Sequence, residues 1–148
     1  MTISFSASFH HVSLSVADLD VALAWYQKAL GLEDVAERFE LPESRVRTAV
    51  LRARNGLRVE LIERADSVRP RDFDDALDAT RTQGYGHWAI EVEDLDQAFG
   101  HLASVGARTV SSPAPAVQPG SRFAYVKDPE GNLLELIQPP HSNGTEGA

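Results

Sequence analysis

The chain has 148 residues, of which 43% are hydrophobic and 24% charged, and its formal net charge is −8. These fractions are typical of a folded protein with one ordinary domain, or two small half-domains sharing a core, and they exclude disorder as the main state. The acidic balance excludes general nucleic-acid binding, and no apolar run approaches the ~18 residues of a membrane helix. The absence of cysteine excludes disulfides, thiolate metal sites and cysteine nucleophiles. The N-terminus does not resemble a secretory signal, so we expect a cytoplasmic protein.

The first half of the chain predicts a strand, a helix and three more strands. Apolar and polar residues alternate from His11 to Val16, which predicts a short strand. Asp18 or Asp20 then predicts a helix N-cap, and apolar residues recur at helical spacing until Gly31. The remaining strands are predicted at 34–41, 45–53 and 57–63, with a hairpin turn at Asn55-Gly56.

The second half predicts the same order of elements. A strand begins after His87, and a helix capped by Asp94 or Asp96 ends at Gly106. Strands are predicted at 108–111, 122–127 and 132–138, with a proline-rich loop at 112–121. Residues 64–84 are predicted as a linker with a short amphipathic helix at 73–80, or as a lid over a substrate.

An internal repeat explains this symmetry. The segment beginning at His11 matches the segment beginning at His87 with an offset of 76 residues, and 59–62 matches 134–137 with an offset of 75. The sequence therefore predicts an α+β fold of two βαβββ modules. The predicted boundaries are an N-terminal extension, module 1, the linker, module 2 and a flexible tail, at 1–8, 9–63, 64–84, 85–138 and 139–148.

Four residues that commonly bind metals occupy matching positions in the two modules: His11 and Glu60 in the first, His87 and Glu135 in the second. Strand alternation places each of them on the less apolar face of its strand. An unpaired carboxylate between apolar neighbours is costly to bury, so each glutamate needs a partner. Two imidazoles and two carboxylates suit a divalent metal such as Ni, Co, Zn, Mn or Fe. The sequence therefore predicts one metal site built from both modules.

The other histidines are predicted to lie outside this site. Strand alternation predicts that His10 faces the helix. His101 falls on a helix and His141 in the tail, so both are predicted to be surface residues.

Positive charge is concentrated between Arg38 and Arg71, where nine arginines stand against five acidic residues. Two interpretations remain open: solvated arginines on exposed strand faces, or a basic strip that contacts an anionic substrate. Within this strip and on the first strand, four residues are candidates for substrate binding: Ser13, Ser15, Arg47 and Arg58.

Several motifs resemble the vicinal oxygen chelate superfamily, which includes glyoxalase I, methylmalonyl-CoA epimerase, extradiol dioxygenases and fosfomycin-resistance proteins. They cover about residues 9–138 and comprise the His-Val-Ser-Leu-Ser-Val-Ala-Asp-Leu-Asp sequence at 11–20, Trp25-Tyr26, Gly31-Leu32, Val59-Glu60-Leu61, the second histidine motif at 87–95, and the Asp-Pro-Glu-Gly-Asn-Leu-Leu-Glu sequence at 128–135. The resemblance implies paired βαβββ modules whose strands curl into a cup around a metal. It also implies that two neighbouring substrate oxygens bind this metal, and that the site is completed across a homodimer interface in several relatives.

Within this superfamily, the full His-Glu-His-Glu set resembles the glyoxalase I and epimerase branch. That resemblance implies a lyase or isomerase that abstracts a proton next to a metal-bound carbonyl, through an enediolate or enolate. Glu135 would be the base, with Glu60 as a ligand or second base. The chain departs from the bacterial glyoxalase I pattern at Ser15, where that pattern has an arginine that helps to hold glutathione.

Two alternatives remain open at this point. The first is a non-haem Fe(II) dioxygenase that uses two histidines and one carboxylate, with Glu60 as a pocket residue. The second is a non-catalytic drug-binding resistance protein. In each case the expected partner is a small molecule, without nucleic acid or membrane, and we expect a homodimer.

Overall fold

The computed structural model describes residues 4–140, which divide into two compact units between Val68 and Arg69. His141 and the rest of the predicted tail lie outside the described residues. Within 4–140, no helix has the length and apolar character needed to cross a membrane.

The first unit is a four-stranded mixed sheet with one long helix. Its elements are β1 (Val12–Val16), α1 (Leu19–Leu30), β2 (Asp34–Leu41), a 3₁₀ turn (Pro42–Ser44), β3 (Val46–Arg52) and β4 (Arg58–Arg64). The strand order is β1-β4-β3-β2, in which only the β1–β4 pair is parallel.

The second unit repeats this plan. Its elements are α2 (Ala76–Ala79), β5 (Trp88–Glu91), α3 (Leu95–Ser104), β6 (Arg108–Pro115), β7 (Arg122–Lys127) and β8 (Leu133–Gln138). The strand order β5-β8-β7-β6 is that of the first unit, again with one parallel pair. The predicted α+β class with two βαβββ modules is confirmed.

Helix capping follows the sequence signals. The Asp18 side chain, rather than that of Asp20, accepts hydrogen bonds from the first turn of α1, and Asp94 does the same for α3. Gly31 ends α1 with a φ of 63°, a left-handed conformation that glycine adopts without steric cost.

One strand is longer than predicted. Residues 112–121 were expected to form a loop because they contain three prolines, yet β6 continues to Pro115. β6 is an edge strand, and its pairing with β7 shifts register twice. Proline is tolerated there because an edge strand has backbone N–H groups that need no partner in the sheet.

One face of each sheet packs against its long helix. Leu61 and Leu136 occupy matching positions on β4 and β8, and both are fully buried with their neighbours on that face. Since side chains alternate along a strand, Glu60 and Glu135 lie on the opposite face. The core therefore fixes which face of each sheet carries the predicted metal ligands.

The last strand of each unit is also tied to the start of its helix. Glu63 accepts a hydrogen bond from the backbone N–H of Leu19 at 2.7 Å, and Gln138 accepts one from Leu95 at 2.9 Å. Each tie satisfies an N–H group that the helix itself leaves unpaired. Both units thus position the final strand in the same way.

Candidate functional site

In the first unit, β1 and β4 bring His11 and Glu60 together. The parallel register pairs Ser13 with Glu60, and His11 lies just before β1 on the same side. The His11 Nε2 atom is 3.5 Å from the Glu60 Oε2 atom. The predicted pairing within the first module is therefore present in the structure.

His10 extends this pair toward Arg58, which corrects the expectation that His10 faces the helix. Arg58 Nη1 lies 2.7 Å from His10 Nε2, and His10 Nδ1 lies 2.8 Å from His11 Nδ1. Strand alternation fails at His10 because β1 begins only at Val12. Since a guanidinium can only donate, neutral His10 accepts from Arg58 and donates to His11.

The second unit brings His87 and Glu135 together in the same way. Here the register pairs Ala89 with Glu135, and the His87 Nε2 atom lies 3.0 Å from Glu135 Oε2. The side chains of Glu60 and Glu135 are 20% and 18% exposed, so both carboxylates remain accessible.

Tyr125 is a further residue at this second pair, and it was not among the predicted site residues. It lies directly opposite Glu135 in the β7–β8 register and hydrogen-bonds with that carboxylate. Its ring meets the His87 ring edge to face at 5.3 Å between centroids. Burial, followed by the hydrogen bond to Glu135, raises the pKa of Tyr125 to about 12. The phenol therefore stays protonated at neutral pH and can donate to Glu135.

The remaining predicted site residues fall on two different faces. Ser13, Ser15 and Arg58 share the face of Glu60. Arg47 pairs with Glu63 in the β3–β4 register and so lies on the face that packs against α1. Its guanidinium bonds Glu63 at 2.6 Å and Asp20 at 3.0 Å. Arg47 therefore lies on the face opposite to Glu60, away from the His11–Glu60 pair.

Arg47 has a counterpart in the second unit that explains its role. Arg122 occupies the matching position and pairs with Asp96 at 2.7 Å, next to Gln138 in the register. In the first unit, Arg47 and then the Leu19 N–H hold the pKa of the Glu63 carboxyl below its usual range. The arginine stabilises the junction between strand and helix in both units.

A cavity lies in the described part of each unit. In the first unit, a cavity of about 320 Å³ lies beside the His10–Arg58 pair, with Asp34, Glu37 and Arg52 on its walls. In the second unit, a cavity of about 450 Å³ lies between residues 69–73 and the turn at 128–132.

Part of the predicted linker, residues 64–84, lines the larger cavity. Lys127 is buried, and its Nζ donates to Asp72 at 2.8 Å and to the Phe73 carbonyl. Hydrogen bonds from Lys127 and Arg108 hold the pKa of Asp72 far below its usual range. Residues 69–73 are thus anchored to the second unit.

Each unit forms its own His–Glu pair. Within 4–140, no three His, Asp or Glu side chains form a cluster that could hold a metal ion. The single four-residue site predicted from the sequence therefore remains a prediction.

Comparisons with known proteins extend these observations. The family model described as Glyoxalase/Bleomycin resistance protein/Dioxygenase superfamily matches residues 8–136. The lactoylglutathione lyase GLX1 of Arabidopsis thaliana is 28% identical over 130 residues, which are 88% of this chain and 44% of that protein. The chain thus spans less than half the length of this relative.

Two other similarities cover nearly the full length of both proteins. The ethylmalonyl-CoA/methylmalonyl-CoA epimerase of Cereibacter sphaeroides is 31% identical over 132 residues, 87% of this chain and 96% of the epimerase. A glyoxalase family protein from Bacillus cereus superposes with a TM-score of 0.70 at 21% identity, over 93% of this chain and 97% of that one. The structural match supports the fold, and the family model covers most of the sequence. The chain belongs to the glyoxalase/bleomycin resistance protein/dioxygenase superfamily.

Proposed function

We propose that the protein is a divalent-metal-dependent lyase or isomerase of the glyoxalase I and epimerase type. Its reaction would remove a proton from the carbon next to a substrate carbonyl. The observation that carries this proposal is the repeated His–Glu pair, His11 with Glu60 and His87 with Glu135, at matching register positions in both units. Relatives named as lactoylglutathione lyases and as an epimerase support the same reaction class.

The donor set fits a divalent metal. Two imidazole nitrogens and two carboxylates are ligands that Ni, Co, Zn, Mn and Fe all accept. Within the described residues, neither Glu60 nor Glu135 forms an ion pair with a lysine or arginine, so both can serve as ligands. We propose that both pairs hold one metal together, within one chain or across a homodimer.

When bound, the metal would supply Lewis acidity that stabilises negative charge on a substrate oxygen. Glu135 would take the proton from the neighbouring carbon. The hydrogen bond with Tyr125 and the contact with His87 hold its carboxylate in one orientation. Glu60 would act as a ligand, or as the base for a substrate of opposite handedness.

The substrate is proposed to be small rather than a glutathione conjugate. Ser15 stands where the bacterial glyoxalase I pattern has an arginine for glutathione, and it lies exposed on the same face as Glu60. A serine side chain cannot form the paired hydrogen bonds by which arginine binds a carboxylate.

The test combines metal binding with proton exchange. Metal-stripped protein is titrated with Ni, Co, Zn, Mn or Fe(II), and bound metal is measured by elemental analysis. Exchange of the proton next to the carbonyl is then followed by NMR in D₂O over a panel of small 2-oxo and 2-hydroxy acids and their thioesters. We expect one strong metal site per pair of His–Glu units, and exchange that depends on the metal.

Variants at the histidines sharpen this test. His11→Asn and His87→Asn should each abolish tight metal binding, whereas His101→Asn on α3 should retain it. Metal binding that survives both of the first two changes would exclude the proposed ligand set. Oxygen consumption with catechols in the presence of Fe(II), without proton exchange, would favour the dioxygenase alternative.

A further inference from the structure

Arg58 differs from the other arginines of the basic strip. The nine arginines from Arg38 to Arg71 include eight that lie within 4.0 Å of a carboxylate. Arg58 has no carboxylate within that distance among residues 4–140, and its side-chain partner there is His10. Four of its five N–H donors are therefore left for other partners.

The surroundings of Arg58 favour an anion. Arg58 lies directly opposite Arg52 in the β3–β4 register, and like charges in directly opposed positions destabilise a sheet. Arg52 is compensated by Asp34, to which its Nε donates at 3.0 Å. The charge of Arg58 has no equivalent compensation, so an anion bound there would remove an unfavourable interaction.

The position of Arg58 links it to the proposed metal site. It precedes Glu60 by two residues on β4 and lies on the same face, which separates the two Cα atoms by roughly 6–7 Å. His10 contacts both Arg58 and His11, and the cavity of about 320 Å³ opens beside it. A bound group at Arg58 would therefore lie a few bonds from a substrate carbon at Glu60.

Among the described residues of the second unit, the position that matches Arg58 carries no cation. Leu133 occupies the position that matches Arg58, and it is buried. An anion that bound at Arg58 would thus have no equivalent at this position of the second unit, and it would orient an asymmetric substrate relative to the two carboxylates.

We propose that Arg58, with His10 at its side, binds the anionic group of the substrate, a carboxylate or a phosphate attached a few bonds from the reacting carbon. This inference rests on the proposed function, because it names the substrate class of the same site. Glu37, which also lines the cavity, opposes anion binding and limits its strength.

Anion binding is measured on the metal-free protein, so that metal chelation does not contribute. Inorganic phosphate and malonate serve as separate probes and distinguish phosphate from carboxylate recognition. NMR follows the Arg58 Nε–Hε resonance during each titration. We expect a saturable shift with at least one probe, at millimolar concentrations.

Three variants identify the residues responsible. Arg58→Gln should weaken binding about tenfold, as expected for the loss of a charge-assisted hydrogen bond. Arg54→Gln removes the same charge from the same hairpin but outside the cavity, and it should change binding less than twofold. Glu37→Gln should strengthen binding. Thermal unfolding of each variant checks that the fold is intact, and Arg58→Lys, which keeps the charge, should retain part of the affinity.

Two outcomes would overturn the inference: no saturable shift of Arg58 with either probe, or equal weakening by Arg58→Gln and Arg54→Gln. Neither outcome bears on metal binding, which is measured separately. If the anion site fails while the metal and proton exchange remain, the substrate class alone is wrong.

Discussion

In the first unit the residue opposite Glu60 on the neighbouring strand is Val50, whereas in the second unit the residue opposite Glu135 is Tyr125. The Val50 side chain offers no hydrogen bond, and among the described residues the side-chain partner of Glu60 is His11, at 3.5 Å. Glu135 is held by His87 at 3.0 Å and by the Tyr125 hydroxyl. The repeat therefore keeps the His–Glu pair but changes the residues that contact its carboxylate.

The positively charged residues beside the pairs differ in the opposite direction, because here the first unit has more side chains around its pair. The first unit places Arg58 and His10 beside its pair, while the second has Leu133 and Gly86 at the matching positions. The second unit therefore places more partners around its carboxylate, and the first places more positive charge beside its pair. The two units thus share one strand order but differ in the residues around their His–Glu pairs.

The largest expected effect separates the roles of the two carboxylates. Glu135→Gln should lower the rate of proton exchange by about 10³-fold, because it removes the base, but should weaken metal binding far less. Glu60→Gln should lower the rate less than Glu135→Gln does. The measurements are exchange rates by NMR and bound metal by elemental analysis. Equal losses in rate and metal binding for both variants would mean that the carboxylates serve only as ligands.

The hydrophobic cores of the two units should lose equal stability when matching buried side chains are truncated. Leu61→Ala and Leu136→Ala remove matching buried side chains, and each should lower the free energy of unfolding by about 3 kcal/mol. Urea unfolding followed by circular dichroism measures this cost. A cost below about 1 kcal/mol for one variant would show that the two cores are not equivalent.

Tyr125→Phe makes the second unit more like the first. It should lower the exchange rate about tenfold, since a hydrogen bond to a charged group is lost, and leave the metal content unchanged. The same variant should remove a phenol that ionises near pH 12 in a spectrophotometric titration. Because burial raises this pKa above its usual value of 10.0, the stability that the neutral phenol contributes is present below pH 10 and lost as the pH rises toward 12. A titration identical to that of the unchanged protein would contradict this placement.

Glu63→Gln gives the first unit the polar side chain that the second unit has at Gln138, and its effect should be the smallest. The Arg47 guanidinium lowers the pKa of Glu63, so the ionised carboxylate stabilises the fold above pH 4.5. That stability is lost as the pH falls below 4.5 toward the depressed pKa. The variant should cost about 1 kcal/mol at neutral pH and should weaken the acid dependence. Urea unfolding between pH 3 and 7 would detect it, and an unchanged pH dependence would contradict the assignment.

Features that depend on neighbours close in the chain could be predicted from the sequence. The bounds of β2 and β7, the two helix caps and the Asn55-Gly56 hairpin all follow from alternation, spacing or turn chemistry. The internal repeat identified His11 and Glu60 as candidate site residues, because His87 and Glu135 occupy the matching positions in the second half. A single copy of the module could not have shown this. Features that depend on residues far apart in the chain were harder to predict. Arg69, for example, pairs with Glu130, which is 61 residues away.

Tyr125 was missed although the sequence contains its signal. A hairpin turn at 128–132 places residues equally distant from its centre opposite each other, which pairs Tyr125 with Glu135. Arg47 could have been recognised in the same way, because Arg122 repeats it at an offset of 75 residues together with Asp96. The hairpin symmetry thus identifies Tyr125, whose counterpart in the first unit is Val50, and the repeat identifies Arg47.

The alternation along β4 and β8 limits how this protein can change over time. A deletion of one residue within β4 would turn Glu60 toward the helix and Leu61 toward the opposite face, with the loss of both the His11–Glu60 pair and the core. Only substitutions are therefore tolerated along this strand. The edge strand β6, whose pairing already shifts register twice, can accept insertions and deletions. Libraries that vary chain length should therefore be placed in β6 and the segment after it, and those aimed at β4 and β8 should vary residue identity alone.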